Sequence, residues 1–170
     1  FQHDPNVDAA KFLVNEVMPK VEAIMGEVPV FIVGSKPTKE IFDLSSRTVS
    51  VTGWVEDLRP LYEQAKLFVA PLRYGAGVKG KIGESLSFGL PTITTSVGAE
   101  GMDVVPGIDL FIAETADEFA KLICEIYNND ALLENIAKNG STKIESLFGQ
   151  DALRDRLQEL VKLTELGTIN

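Results

Sequence analysis

Residues 71–91 hold the densest chemistry in this chain. Arg73, Lys79 and Lys81 stand among Gly75, Gly77 and Gly80, and Glu84 follows. Between Glu63 and Glu84 there is no acid but four cations, the fourth being Lys66. The whole protein has 170 residues, 16 Lys and Arg against 25 Asp and Glu, and a net charge of −9. A local reversal of sign at a glycine-rich segment that runs into a helix describes an anion site. Glycines let the backbone approach a ligand, and a helix N-terminus offers unpaired N–H groups to it. Phosphate or diphosphate is the expected anion. The plain alternative is a solvated basic loop that uses glycine to turn.

Two familiar patterns overlap this loop and are rejected. Gly75-x-Gly77-x-x-Gly80 satisfies a dinucleotide fingerprint, but that fingerprint belongs after the first strand of its fold, with an acid about 20 residues on. Here it follows the third visible strand, and Glu100, at the right offset, lies past another strand. Gly75-x-x-x-x-Gly80-Lys81 satisfies most of a phosphate-binding P-loop, but Ile82 stands where Ser or Thr must hold magnesium. Glu84 falls about one turn inside the helix. A carboxylate there, beside a bound diphosphate, can accept two hydroxyl hydrogen bonds from a ribose. The competing reading is a Glu that merely complements the helix dipole.

Composition narrows the rest. At 45% apolar and 24% charged the chain is ordinary globular material, not disordered. One Cys (Cys124) excludes an internal disulfide, and with one His (His3) it excludes a Cys/His zinc site. The single Cys fits a reducing compartment, and cytoplasmic location is expected. Acidity argues against nucleic acid as partner. No Asp-x-Asp metal-binding motif occurs, so no metal is expected. Cys124 on a helix face reads as inert core.

Elements that could position the loop follow from periodicity. Asp4 reads as an N-cap with Pro5 behind it, and Ala10, Leu13, Val14, Val17, Val21 and Ile24 recur at helical spacing, with Pro19 kinking or splitting the helix. Strands are expected at 28–33, 48–52, 67–70, 92–95 and 110–113. Helices are expected at 38–44, 57–65 and 80–88. Thr115 and Glu118 make a capping-box pair. Asp130 should cap a helix that Gly140 terminates. Leu153, Leu157, Leu160 and Val161 stripe a last helix. Short apolar strands alternating with helices give an α/β fold: a Rossmann-like, doubly wound parallel sheet covered on both faces. In such a fold a strand normally precedes the first helix, so one strand is expected ahead of residue 1. Ligands bind outside the carboxyl ends of the strands, here the loops at 34–37, 53–57, 71–80 and 96–101.

These residues resemble the C-terminal, donor-binding domain of a group 1, retaining GT-B glycosyltransferase. Val51-Thr52-Gly53-Trp54-Val55 with Leu61-Tyr62-Glu63-Gln64-Ala65 is similar to that family's T-G-x-V … L-Y-x-x-A segment. Leu67-Phe68-Val69-Ala70-Pro71 resembles the strand that follows. Gly83-Glu84-Ser85-Leu86-Ser87-Phe88-Gly89-Leu90-Pro91 resembles L-E-A-M-A-x-G-x-P, and 94–101 continues the likeness. His3-Asp4-Pro5-Asn6 resembles the segment just after the domain's first strand. Phe148 and the striped helix resemble the terminal helix that crosses back to the N-terminal domain. Nearly the whole chain, 1–170, is covered as one nucleotide-sugar-binding domain.

The resemblance implies transfer of a sugar from a nucleoside-diphosphate sugar, without cofactor, to an acceptor held by an N-terminal domain outside this chain. Catalytic residues on the acceptor side would lie there too, and the isolated domain would bind donor without turnover. Peripheral membrane association of the longer enzyme, at the inner face, is left open. The implied diphosphate contacts are Arg73, Gly75, Gly77, Lys79, Gly80 and Lys81. Glu84 would hold the ribose, Gly53, Trp54 and Val55 the base, and the loop of Gly98, Ala99 and Glu100 would approach the sugar or phosphates. Trp54 has a core or interface role as its alternative. Two departures stand out. The family pairs Glu84 with an acid eight residues earlier, and that position is Ala76. It also draws an Arg and a Lys from the first strand and helix, where residues 1–20 offer only the misplaced Lys11 and Lys20. Lys79 and Lys81 can compensate. The alternatives are a non-catalytic nucleotide-binding or interaction module, kept open by Ala76, and a sugar-nucleotide epimerase of the same fold, disfavoured because only His3 is available for proton work.

Overall fold

A computed structural model describes residue 1 and residues 3–165, the last three through their backbone. The chain opens with α1 (Asp4–Phe12), a π-helical turn (Leu13–Val17) and α2 (Met18–Met25) as one continuous rod. Pro19 explains the wide turn. It has no N–H to donate and its ring would strike the carbonyl of Asn15, so the ladder loosens just before it, and Met18 donates back to Leu13. His3, not Asp4, occupies the N-cap position, and Asp4 begins the helix.

β1 (Val30–Val33), α3 (Lys39–Phe42), β2 (Val49–Gly53), α4 (Arg59–Gln64) and β3 (Phe68–Ala70) follow. Then come α5 (Gly80–Ser87), β4 (Thr92–Thr94), α6 (Ser96–Ala99), β5 (Phe111–Ile112), α7 (Ala116–Tyr127), α8 (Asp130–Phe148) and α9 (Gln150–Glu165). All strand pairings between these elements are parallel, as the alternation requires. They form two sheets, β1-β2 and β3-β4-β5, and among the described residues no ladder joins β1 to β3.

Coverage of the sheets differs from expectation. Thr92, Ile93 and Thr94 of β4 are all buried, so that sheet is enclosed on both faces. In the other sheet, α1 and α3 both lie on the side of Ile32 and Val49. The opposite side leaves Phe31 54% exposed and Ser50 uncovered.

Three clusters hold the structure. The largest joins Phe12, Val17, Met18 and Val21 to Phe119, Ile123 and Ile126 of α7, with Phe12 and Phe119 edge to face at 6.2 Å. A second lies beneath residues 71–80 and contains Ala70, Leu72, Ile82, Leu86, Met102, Leu110 and Ile144. Burying a side chain such as Ile82 or Leu86 contributes about 1.5–3 kcal/mol, so this cluster can carry the irregular loop above it.

The helices that follow amend two expectations. Thr115 and Glu118 form the capping box as anticipated. Asn129, not Asp130, caps α8, its side chain accepting from Leu132 N–H at 3.1 Å. Gly140 does not end α8, which runs through it to Phe148. A Cβ on Gly140 would sit 2.6 Å from the Asp109 carbonyl and 2.7 Å from Leu86 Cδ2. The glycine is there for close approach, and the helix tolerates it because packing outweighs a propensity cost of about 1 kcal/mol. Leu153, Leu157, Leu160 and Val161 of α9 are each more than half exposed. Among the described residues, no helix is long and apolar enough to cross a membrane.

Candidate functional site: a lysine pair at a helix N-terminus

β3 ends at Ala70, and the chain is fixed there before the loop begins. Thr94 Oγ1 donates to the Ala70 carbonyl at 2.7 Å and Thr95 Oγ1 to the Leu72 carbonyl at 2.5 Å. These buried hydroxyls tie the foot of the loop to β4. Gly75 and Gly77 then take φ of +131° and +77°, values that side chains disfavour. The loop leans on α1, since a Cβ on Gly75 would meet the Pro5 ring at 3.7 Å.

Lys79 occupies the N-cap position of α5 and makes no side-chain cap. The first-turn N–H groups of Gly80 and Lys81 therefore point out of the helix with the positive end of its dipole. The two lysine side chains converge on the same end. Lys79 is only 10% exposed; its Nζ donates to the Gly77 carbonyl and lies 3.6 Å from Glu100 Oε2. Lys81 Nζ donates to Asn6 Oδ1 in the first turn of α1. Burial pushes the Lys81 ammonium pKa down, and the charge of Lys79 adds to that push. Two ammonium groups, largely withdrawn from solvent and sharing one carboxylate, favour a ligand that brings negative charge.

Arg73 is placed differently. Its Nε donates to Asp8 Oδ2 at 2.8 Å, its Nη2 bonds Asp8 Oδ1, and the guanidinium lies 4.9 Å from the Phe12 ring centroid. The charge of Arg73 is already answered, and that hydrogen bond holds the Asp8 carboxyl below its ordinary range. Glu84 lies at the fifth position of α5 and is exposed. Gly98 is buried in α6, whose N-cap Thr95 accepts from the Gly98 N–H at 3.0 Å. Ala99 follows in the same turn. The Glu100 side chain reaches Lys79.

Gly53 ends β2 with φ +73°, and its carbonyl accepts from Gly34 N–H at 3.1 Å. Trp54 beyond it is 69% exposed, which removes the core alternative, while Val55 is half-buried. Cys124 packs against the first cluster, and burial raises its thiol pKa, consistent with an inert role. Among the described residues, no group of three or more His, Cys, Asp or Glu side chains is placed to hold a metal. Sequence reasoning missed Asn6 and Asp8 as partners of the loop. They lie 75 and 65 residues from Lys81 and Arg73, and no local pattern marks them.

The sequence model of the family described as glycosyl transferases group 1 matches residues 2–129. An uncharacterised 44.6 kDa protein in the cps region of Klebsiella pneumoniae is 26% identical over 152 residues, covering 84% of this chain and 39% of that protein. The capsular polysaccharide biosynthesis glycosyltransferase CapM of Staphylococcus aureus is 26% identical over 160 residues, covering 86% of this chain and 42% of CapM. The chain thus spans about two fifths of the length of these curated relatives. Among solved structures, Anabaena HepE in complex with UDP and glucose superposes with a TM-score of 0.72 at 14% identity, covering 95% of this chain and 53% of HepE.

Proposed function

The chain belongs to the group 1 glycosyltransferases, and on that premise we propose that it is the nucleotide-sugar-binding half of a two-domain, retaining enzyme. Its donor is a nucleoside-diphosphate sugar, its acceptor is bound by a separate N-terminal domain, and it works at the cytoplasmic side without metal or cofactor. The observation that carries this reading is the pair Lys79 and Lys81 at the uncapped start of α5, with Glu84 one turn further in.

During transfer the bond between the anomeric carbon and the diphosphate oxygen breaks, and its electron pair leaves on the diphosphate. Lys79, Lys81 and the first N–H groups of α5 meet that growing charge. Because they are fixed beforehand, they stabilise it without reorganising. Losing one such group typically costs on the order of 10²–10³ in rate. Gly75, Gly77 and Gly80 allow the phosphates to approach the backbone. Glu84 accepts the ribose hydroxyls, and Gly53, Trp54 and Val55 border the base. The exposed stripe of α9 is the surface we assign to the acceptor domain. Ala76, in place of an acid, favours one competing reading, a nucleotide-binding module without catalysis.

A thermal-shift panel with millimolar UDP, GDP, ADP and dTDP tests the reading, with and without EDTA. UDP is the first choice because HepE, a structural neighbour, holds it in its crystals. A ligand at ten times its Kd adds about 1.4 kcal/mol, a few degrees for a chain of this size. One nucleotide should win, with or without EDTA. No shift from any of them overturns donor binding by this chain. Binding without transfer, in protein that carries an acceptor domain, decides for the non-catalytic module.

A further inference from the structure

The turn that ends α6 lies against the loop at 71–80 and is tied to it on both sides. Before the turn, Thr95 Oγ1 donates to the Leu72 carbonyl at 2.5 Å. After it, Met102 is buried in the cluster of Leu72, Ile82 and Leu86. Between them Gly101 takes φ +75°, and a Cβ on it would sit 3.2 Å from Val78 Cγ2. The Glu100 backbone is thus fixed beside the loop. Its side chain has more room: it is 60% exposed, and among the described residues its one salt bridge is to Lys79, at 3.6 Å. A charge-assisted hydrogen bond would close to about 2.7–2.9 Å. Lys79 Nζ instead donates to the Gly77 carbonyl. Arg73, by contrast, grips Asp8 through two N–H groups. The Lys79–Glu100 contact can therefore open without orphaning a hydrogen-bonded group, since Lys79 keeps Gly77 and the carboxylate turns to water.

We propose that Glu100 is a resident counter-ion of the donor site: its carboxylate answers the charge of Lys79 while the site is empty and gives way when a diphosphate takes that place. This rests on the reading of Lys79 as a diphosphate ligand. The two anions compete for one ammonium. A carboxylate that stayed beside the phosphate oxygens would meet like charge within a few ångströms, where the low exposure of Lys79 weakens screening by water. Displacing Glu100 is therefore part of the binding equilibrium. Glu100 holds affinity for a nucleoside diphosphate below what the two lysines alone would give. It sets affinity by competition, so its loss acts in the direction opposite to loss of either lysine.

Glu100→Gln keeps the size of the side chain and removes its charge. Lys79→Met keeps the buried stem and removes the ammonium. The measurement is calorimetric Kd for UDP, at one ionic strength, with the wild type, Glu100→Gln, Lys79→Met and the double variant. Glu100→Gln should bind UDP about three- to tenfold more tightly, at or above the upper end for an exposed ion pair because Lys79 is withdrawn from solvent. Glu100→Ala should tighten UDP likewise, which separates the charge from any hydrogen bond of the new amide. In the Lys79→Met background, Glu100→Gln should change affinity by less than about twofold, because the carboxylate has no lysine to vacate. Equal tightening in both backgrounds means plain repulsion of the ligand and overturns the exchange. Unchanged or weaker binding by Glu100→Gln overturns it too. If Lys79→Met binds UDP as tightly as the wild type, the diphosphate reading of Lys79 fails instead.

Discussion

Two groups of cations lie close together on this molecule and are treated in opposite ways. On the flank of α1, each cation has an acid: Arg73 is held by Asp8, and Lys11 by Glu40 at 2.6 Å. At the start of α5, Lys79 and Lys81 hold the Gly77 carbonyl and the Asn6 amide oxygen, and the nearest acid, Glu100, stands 3.6 Å from Lys79. The first arrangement joins elements. The second sets two cations against one acid, a state that costs stability and is sensible where a ligand supplies the missing charge. Basic residues in one loop are therefore not one site; their partners separate scaffold from binding surface.

The sharpest way to break this comparison is to remove the lysine pair. Lys79→Ala with Lys81→Ala should weaken UDP by more than about 100-fold, as expected from losing two charge-assisted contacts. The unliganded protein should melt within a few degrees of the wild type, because relief of the like-charge repulsion offsets the lost Lys79–Glu100 pair and lysine hydrogen bonds. A calorimetric titration and a melting curve check both halves. Retained affinity would mean that the phosphates lie elsewhere.

A second effect is expected in the pH dependence. Burial and Lys79 lower the pKa of Lys81 from its ordinary 10.5. Lys81 is charged below its shifted value and loses its proton as pH rises through it, earlier than a solvated lysine would. UDP affinity should therefore be full at neutral pH and fall on the alkaline side in that window, with proton uptake on binding. Over the same window the unfolded chain binds more protons than the folded one, so the unliganded fold should gain stability as pH rises. Lys81→Arg, always charged, should flatten the affinity profile. A wild-type profile as flat as that of the Arg variant would remove Lys81 from the diphosphate site.

Arg73→Ala should show the smallest effect on binding. UDP affinity should change by less than about threefold, since that charge is already paired. Stability should fall by about 1 kcal/mol, a few degrees in Tm, through the Asp8 pair and the Phe12 ring contact. A large loss of affinity with unchanged Tm would place Arg73 with the lysines and erase the distinction.

Much of this arrangement was legible in the sequence wherever the signal was local. The five strands, the capping box of Thr115 and Glu118, the helix at Gly80 and the loop that feeds it are all set by neighbours a few residues apart. Gly140 misled because a glycine near a helical pattern reads as a stop, whereas here it makes room for the Asp109 carbonyl. Trp54 carries no local mark of its exposure. The sequence likewise kept Arg73 as a third candidate beside Lys79 and Lys81.

Sequence alone thus determined the α/β alternation, the glycine-rich turn and the sign of its charge, because side-chain periodicity and backbone preference act over one or two turns. Tertiary structure decided which cation is held in a close acid pair and which two share one acid, and that the strands divide into two sheets. Those outcomes depend on pairs such as Asn6 with Lys81, 75 residues apart. Such pairs meet only after the core has fixed the path of the chain, and the energy of each pair is too small to announce itself in composition.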